Sequence, residues 1–272
     1  MKILVIDDTR TNLDAAKQVL PEHELTLVTD YDRAYKLLER PKANYDAVQE
    51  ELKRRGFRNE YDRDASKQER DATRVERSRL EVELCPPPPF DAVLCDLLMP
   101  AGRTTQGPKG ERYVGQEMPV GWALALMAVL QGAKHVAVVT NLNHHDHPAA
   151  AMLDRLCSGP FHVGEPHPVK LHINGAPVDF VNDAPMVPVE GTTCADCGGS
   201  GTKAEKDCWL CNGSGRNEHL DKECHPCKGS GREVPTCYSC RGSGKVLGKD
   251  WSKVLARLLG TETPLASEDH DA

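Results

Sequence analysis

The sequence predicts an α/β fold, a five-stranded parallel sheet with helices on both faces, followed by a small cysteine-rich module. Three observations carry this. Up to about Pro188, short apolar runs alternate with helical patterns, as in strands joined by right-handed crossovers. From Gly191 to Gly248 the chain becomes rich in Cys and Gly, poor in aliphatic residues, and repetitive. Of the 272 residues, 39% are hydrophobic and 28% charged, which suffices for a packed core beneath a solvated surface.

In order along the chain, residues 3–6, 25–29, 92–95, 136–140 and 178–181 read as strands, and 12–20, 32–39, 122–131 and 148–156 as helices. The strands are apolar along their length, as strands covered on both faces must be. "KLHINGAPVDFV" reads as a hairpin turning at Asn174-Gly175, a pair suited to the left-handed backbone of a tight turn. Residues 41–88 break the alternation. They are dense in Arg, Lys, Glu and Asp, with opposite charges at helical spacing and few apolar anchors. A charged helical or disordered insertion is expected there, either a solvated hairpin or a partner-binding arm, and "CPPPPF" reads as a stiff spacer into the third strand. After the cysteine-rich module, a short amphipathic helix is expected at 251–259, then a polar, acidic, disordered tail. The expected domains are 1–190, 191–248 and 249–272.

Composition narrows the function classes. The longest apolar stretch, 122–130, falls far short of the roughly 20 residues of a membrane-spanning helix. Met1-Lys2 runs straight into a strand-like segment with no secretory pattern, so a cytoplasmic location is expected. A formal net charge of −7 disfavours a broad nucleic-acid surface. Eleven cysteines, eight of them in four CxxC pairs, argue against a secreted disulfide framework and for metal binding.

In parallel α/β sheets, chemistry gathers at the carboxyl ends of the strands. Asp7 and Asp8 end the first strand, Asp96 the third and Thr140 the fourth. Three converging carboxylates suit a hard divalent cation such as Mg²⁺. Such a cation would screen the repulsion between a carboxylate nucleophile and an incoming phosphoryl group. A plainer reading has Asp7 and Asp8 simply capping the first helix. The segments "MKILVIDDTRTN", "DAVLCDLLMP" and "VAVVTN" resemble the receiver domain of two-component response regulators, a flavodoxin-like fold, over most of residues 1–187 outside the insertion. The resemblance implies that Asp96 is the phosphoacceptor. It further implies that Asp7, Asp8, Asp96 and the backbone carbonyl of Leu98 hold Mg²⁺, and that Thr140 is the switch hydroxyl. A receiver also carries a lysine at the end of its fifth strand. Here Asn182, Asp183 and Ala184 stand in that neighbourhood, and Lys170 is the nearest candidate.

Beside Thr140, "TNLNHHDHP" places His144, His145 and His147 in one loop. They read either as transition-metal ligands or a pH-sensitive patch, or as a polar loop opening the next helix. Cys85, Cys95 and Cys157 read as packed or incidental thiols rather than ligands.

The strongest pattern is a fourfold repeat: "CADCGGSG" from Cys194, "CWLCNGSG" from Cys208, "CHPCKGSG" from Cys224 and "CYSCRGSG" from Cys237, at spacings of 14, 16 and 13 residues. A CxxC turn aims two thiolates at one ion, and two such turns close a tetrahedral site, so eight cysteines make two structural zinc sites. Iron–sulfur clusters and dithiol redox pairs are the rival chemistries. The repeat resembles the cysteine-rich zinc domain of DnaJ-type co-chaperones over residues 191–248. That resemblance implies an elongated β-hairpin module. It pairs the outer repeats as Cys194, Cys197, Cys237 and Cys240, and the inner ones as Cys208, Cys211, Cys224 and Cys227. No J-domain pattern accompanies it. Between Gly191 and Gly248, eight Lys/Arg face seven Asp/Glu, which argues for a protein or peptide partner rather than nucleic acid.

Together these readings lead to an expected non-enzymatic signalling protein. A histidine kinase or small phosphodonor would modify Asp96, and the zinc module would bind a protein partner. Two alternatives stand beside it. One is an unphosphorylated receiver-like scaffold or chaperone-like adaptor. The other is a metal-dependent phosphoryl-transfer or hydrolytic enzyme using Asp8, Asp96 and the histidine loop.

Overall fold

The computed structural model describes residues 1–59, 61–103, 108–141, 147–156, 169–217 and 222–261. In chain order its first half contains β1 (Lys2–Ile6), α1 (Arg10–Val19), β2 (Glu24–Val28), α2 (Tyr31–Leu38), α3 (Tyr45–Arg54), α4 (Lys67–Glu83) and β3 (Ala92–Asp96). A short antiparallel pair follows, β4 (Met99–Pro100) with β5 (Glu117–Met118), then α5 (Gly121–Leu130), β6 (His135–Val139) and α6 (Pro148–Leu156). The hairpin β7 (Val169–Ile173) and β8 (Ala176–Val181) leads to β9 (Met186–Pro188). The cysteine-rich segment holds β10 (Lys206–Asp207), β11 (Arg216–Asn217), β12 (Lys222–Glu223) and β13 (Arg232–Glu233), and the chain closes with β14 (Leu247–Lys249) and α7 (Trp251–Leu258).

Six strands form one sheet in the order β2-β1-β3-β6-β8-β7. All pairings are parallel except β7 with β8, whose turn at Asn174 (φ 49°) and Gly175 (φ 81°) is the left-handed pair expected there. The strand alternation divides the core in two. Leu4, Ile6, Val93, Cys95, Val136, Val138 and Phe180 face one side, with Leu38 of α2 and Leu124 and Ala128 of α5. Ile3, Val5, Ala92, Leu94, Ala137, Val139 and Val181 face the other, with Leu13 and Ala16 of α1. Among the described residues, no helix is long and apolar enough to cross a membrane.

That second face corrects the expected domain boundaries. Trp251, Val254, Leu255 and Leu258 of α7 recur at helical spacing and are all buried in the core formed by α1, β1, β3 and β6. The stretch after the module is therefore part of the first domain. The cysteine-rich segment is an excursion that leaves through β9 and returns through β14, and the two strands pair antiparallel. Residues 262–272 lie outside the described residues.

The 41–88 insertion is helical. Val48, Leu52 and Leu80 join α3 to α4 in a small core of their own. Arg55 binds Glu51 and Glu76, each at 2.7 Å, and Glu83 at 3.2 Å. A capping box between Ser66 and Glu69 starts α4.

Candidate functional site

Asp7 follows the last residue of β1, Asp8 comes next, and Asp96 ends β3. Each offers a carboxylate oxygen within 4.8 Å of the others, an arrangement able to hold a cation. Asp7 is wholly buried, Asp96 is nearly so, and Asp8 is exposed. Asp7 is fixed from two sides: Thr9 N–H donates to Oδ1 at 2.9 Å, and Asn12 Nδ2 donates to both oxygens at 3.0 Å. This is more than a helix cap. α1 does begin just after the pair, but its N-cap Thr9 makes no side-chain capping bond.

The lysine of this pocket is Lys249. Its fully buried Nζ donates to Asp7 Oδ2 at 2.8 Å, pairs with Asp96 Oδ1 at 2.9 Å and reaches the Val139 carbonyl at 3.3 Å. Lys170, the residue expected from sequence, is exposed on the edge strand β7, opposite Asp179. Lys249 escaped the sequence reading because the whole cysteine-rich segment separates it from β8. The clue was the amphipathic stretch after Lys249, whose apolar face needed a core to bury in. Asn12 was also missed. Besides holding Asp7, its Oδ1 accepts from Lys249 N–H at 3.1 Å and its carbonyl accepts from Trp251 Nε1 at 2.9 Å.

Thr140, buried at the end of β6, lies one residue beyond Val139, the partner of Asp96 across the strands. Its backbone is anchored by Val181 and Ala184. Leu98, two residues past Asp96, is buried. Gly121 starts α5 against this turn: a Cβ there would lie 2.1 Å from the Asp96 carbonyl oxygen, so only glycine lets the helix approach.

Burial pushes the Asp96 carboxyl up to about 6; Lys249 opposes the shift and Asp7 adds to it. Asp8 is raised as well, by partial burial and by Asp7. Burial works against the Lys249 charge, but Asp7 and Asp96 more than offset it and hold the ammonium above its ordinary value. Three carboxylates against one ammonium leave uncompensated negative charge, the condition a bound cation relieves.

The eight repeat cysteines gather as two tetracysteine clusters. In the outer one, Cys194 and Cys237 sulfurs lie 3.9 Å apart and Cys197 and Cys240 3.7 Å. In the inner one, Cys208–Cys224 and Cys211–Cys227 are both at 3.7 Å. A tetrahedral ion with bonds of about 2.3 Å sets its sulfurs about 3.8 Å apart, so both clusters fit a structural metal such as zinc. The repeats pair reciprocally. Cys194 N–H donates to Gly244 O while Cys237 N–H donates to Gly201 O, and Cys208 and Cys224 do the same with Gly231 and Gly215. After the second cysteine the backbone turns left-handed even at Asn212, Lys228 and Arg241 (φ 47–48°). This brings the amides of Gly201, Gly215 and Gly244 to 3.3 Å from a sulfur. Burial opposes the thiolate at Cys197 and Cys211, yet these amides hold them down at about 6 and about 7. Burial instead pushes Cys194 up to about 11 and Cys224 up to about 12. The antiparallel pairs β10–β13 and β11–β12 give the module its hairpin form.

Of the histidine loop, His144 and His145 lie outside the described residues. His147 Nδ1 accepts from Ala149 N–H at 3.0 Å, a bond that caps α6. Cys157 also lies outside the described residues. Cys95 is buried and donates to the Ala137 carbonyl, and Cys85 donates to Pro41. No family model, no curated protein and no solved structure matches the chain.

Proposed function

We propose that the first domain is a receiver and that Asp96 accepts a phosphoryl group. The observation that carries this reading is the buried ammonium of Lys249 shared between Asp7 and Asp96. It supplies the one receiver element that the strand-end motifs lacked. The strand order β2-β1-β3-β6-β8 agrees with a flavodoxin-like sheet, whose ligands sit at these strand ends.

In the reaction, an ionised Asp96 oxygen attacks phosphorus. The bond to the donor's leaving group breaks with its electron pair, and an acyl phosphate forms. Asp7, Asp8, Asp96 and the Leu98 carbonyl would hold Mg²⁺, which neutralises charge on the transferred group. In this reading Lys249 would pair with one phosphoryl oxygen and Thr140 would bind another. Asn12 keeps Asp7 and Lys249 in register. The protein turns over no substrate; the modification itself is the signal. The module, with zinc as its metal, binds a protein partner, a reading supported by the exposed Trp209 and Tyr238 within its second and fourth CxxC turns.

The test is incubation with a small-molecule phosphodonor and Mg²⁺, read by intact mass. A base-labile adduct is expected, absent in Asp96→Asn and at least tenfold slower to form in Lys249→Met. A folded, Mg²⁺-binding protein that forms no adduct would leave the scaffold or adaptor reading in its place.

A further inference from the structure

Lys249 stands on the far side of the cysteine-rich excursion from the strand it serves, so its position depends on how that excursion is closed. Two short strands do the closing. Met186 pairs with Lys249, Val187 with Gly248 and Pro188 with Leu247. Above them, Val189 N–H donates to Val246 O at 2.9 Å, Val246 N–H to Thr192 Oγ1 at 3.0 Å, and Cys194 N–H to Gly244 O at 2.8 Å. Glu190 and Lys245 form an ion pair across the same neck. A continuous ladder thus runs from the outer cysteine cluster down to the ammonium between Asp7 and Asp96.

The foot of the neck is seated on α1. Gln18 Nε2 donates to Pro188 O at 3.0 Å, and Gln18 Oε1 accepts from Glu190 N–H at 2.9 Å. Gly248 lies so close to the helix that an added Cβ would stand 2.7 Å from Ala15 Cβ. Among the described residues, the buried clusters of the excursion consist of cysteines, so it is the metal rather than an apolar core that holds the head of the neck together. Closing a long chain loop costs entropy that grows with its length, and a metal bridging Cys194 and Cys240 removes most of that length from the loop. At its lower end Lys249 is drawn to the pocket by Asp7 and Asp96 and tied to α1 by its own N–H on Asn12 Oδ1, so the closed neck is what holds it from the other side.

The geometry points to the outer tetracysteine cluster as a clasp: its metal holds the neck shut and thereby seats Lys249 between Asp7 and Asp96. Metal occupancy at a site remote from the pocket then sets whether Asp96 is competent. The functional half of this inference rests on Asp96 being the phosphoacceptor; the structural half does not.

The experiment uses the full chain loaded with zinc, with and without a zinc chelator that spares Mg²⁺. Hydrogen exchange is followed segment by segment and adduct formation is followed in parallel. Removing zinc is expected to speed exchange at 186–190 and 245–250 at least tenfold, with β1, β3 and β6 still protected, and to slow adduct formation at least tenfold. The outer double change Cys194→Ser with Cys240→Ser should reproduce both effects. The inner change Cys208→Ser with Cys224→Ser should affect the neck less. Unchanged exchange at the neck, equal effects of the two double changes, or loss of protection across the whole sheet would each overturn the clasp. If the zinc-loaded chain forms no adduct at all, the receiver reading fails, while exchange at the neck still decides the clasp.

Discussion

Asp96 is the residue where burial, charge and chemistry meet most directly. Its carboxyl sits at about 6 in the folded chain, raised from an ordinary value of 3.8. A carboxyl raised by folding binds its proton more tightly in the folded state than in the unfolded one. Its contribution to stability is therefore fully present below about pH 4 and is lost as pH rises through about 6. We predict that, without divalent cations, Asp96→Asn is more stable than the parent at pH 7.5, on the order of 3 kcal/mol from a shift of this size, and about equal to it at pH 4. Urea unfolding at the two pH values measures this. Adding Mg²⁺ at pH 7.5 should narrow the gap, because the parent offers the cation three carboxylates and the variant only two. A parent more stable than the variant at pH 7.5 without cations would mean that Lys249 already compensates the pocket.

The elements that sequence reasoning found are those whose pattern is local. The five parallel strands, the Asn174-Gly175 turn and the helices beside them follow from apolar runs of the right length and period. Helix α7 was also visible, since Trp251, Val254, Leu255 and Leu258 mark its apolar face, but its destination was not. A helix that docks across a long excursion leaves no local signature of what it packs against. The same gap hid Lys249, because no spacing rule reaches from β8 over four CxxC repeats. Packing then makes a strong demand. Trp251 is wholly buried against the sheet, and its ring lies beneath the Lys249 ammonium, with Nζ 5.4 Å from the ring centre. Trp251→Ala should cost about 3–5 kcal/mol, the usual loss for a buried large aromatic. Chemical denaturation measures this, and a loss below about 1 kcal/mol would show that α7 is a dispensable appendage.

At the scale of the whole molecule, two kinds of core are threaded through one chain, and they respond differently to solution conditions. The α/β domain is held by apolar burial on both sheet faces, which neither chelators nor mild acid remove. The excursion has two clusters of four sulfurs where such a core would be. The CxxC spacing announced two four-sulfur sites, because two thiolates three residues apart can share an ion without help from the rest of the fold, while the pairing of outer with outer and inner with inner repeats was implied by the resemblance to the DnaJ-type zinc domain. Elemental analysis should find two zinc ions per chain; values near zero, or iron in their place, would refute the structural-zinc assignment. Proton uptake then sets the direction of the pH dependence. Cys194 and Cys224, at about 11 and about 12, must lose protons to bind metal, whereas Cys197 and Cys211 are already partly ionised near neutrality. Zinc loading should therefore release protons, and the apparent affinity should weaken steeply as pH falls from 8 to 6. A competitive chelator titration at several pH values reads that slope. An affinity independent of pH would mean that the thiols do not exchange protons for metal, and the clusters would then not be zinc-thiolate sites.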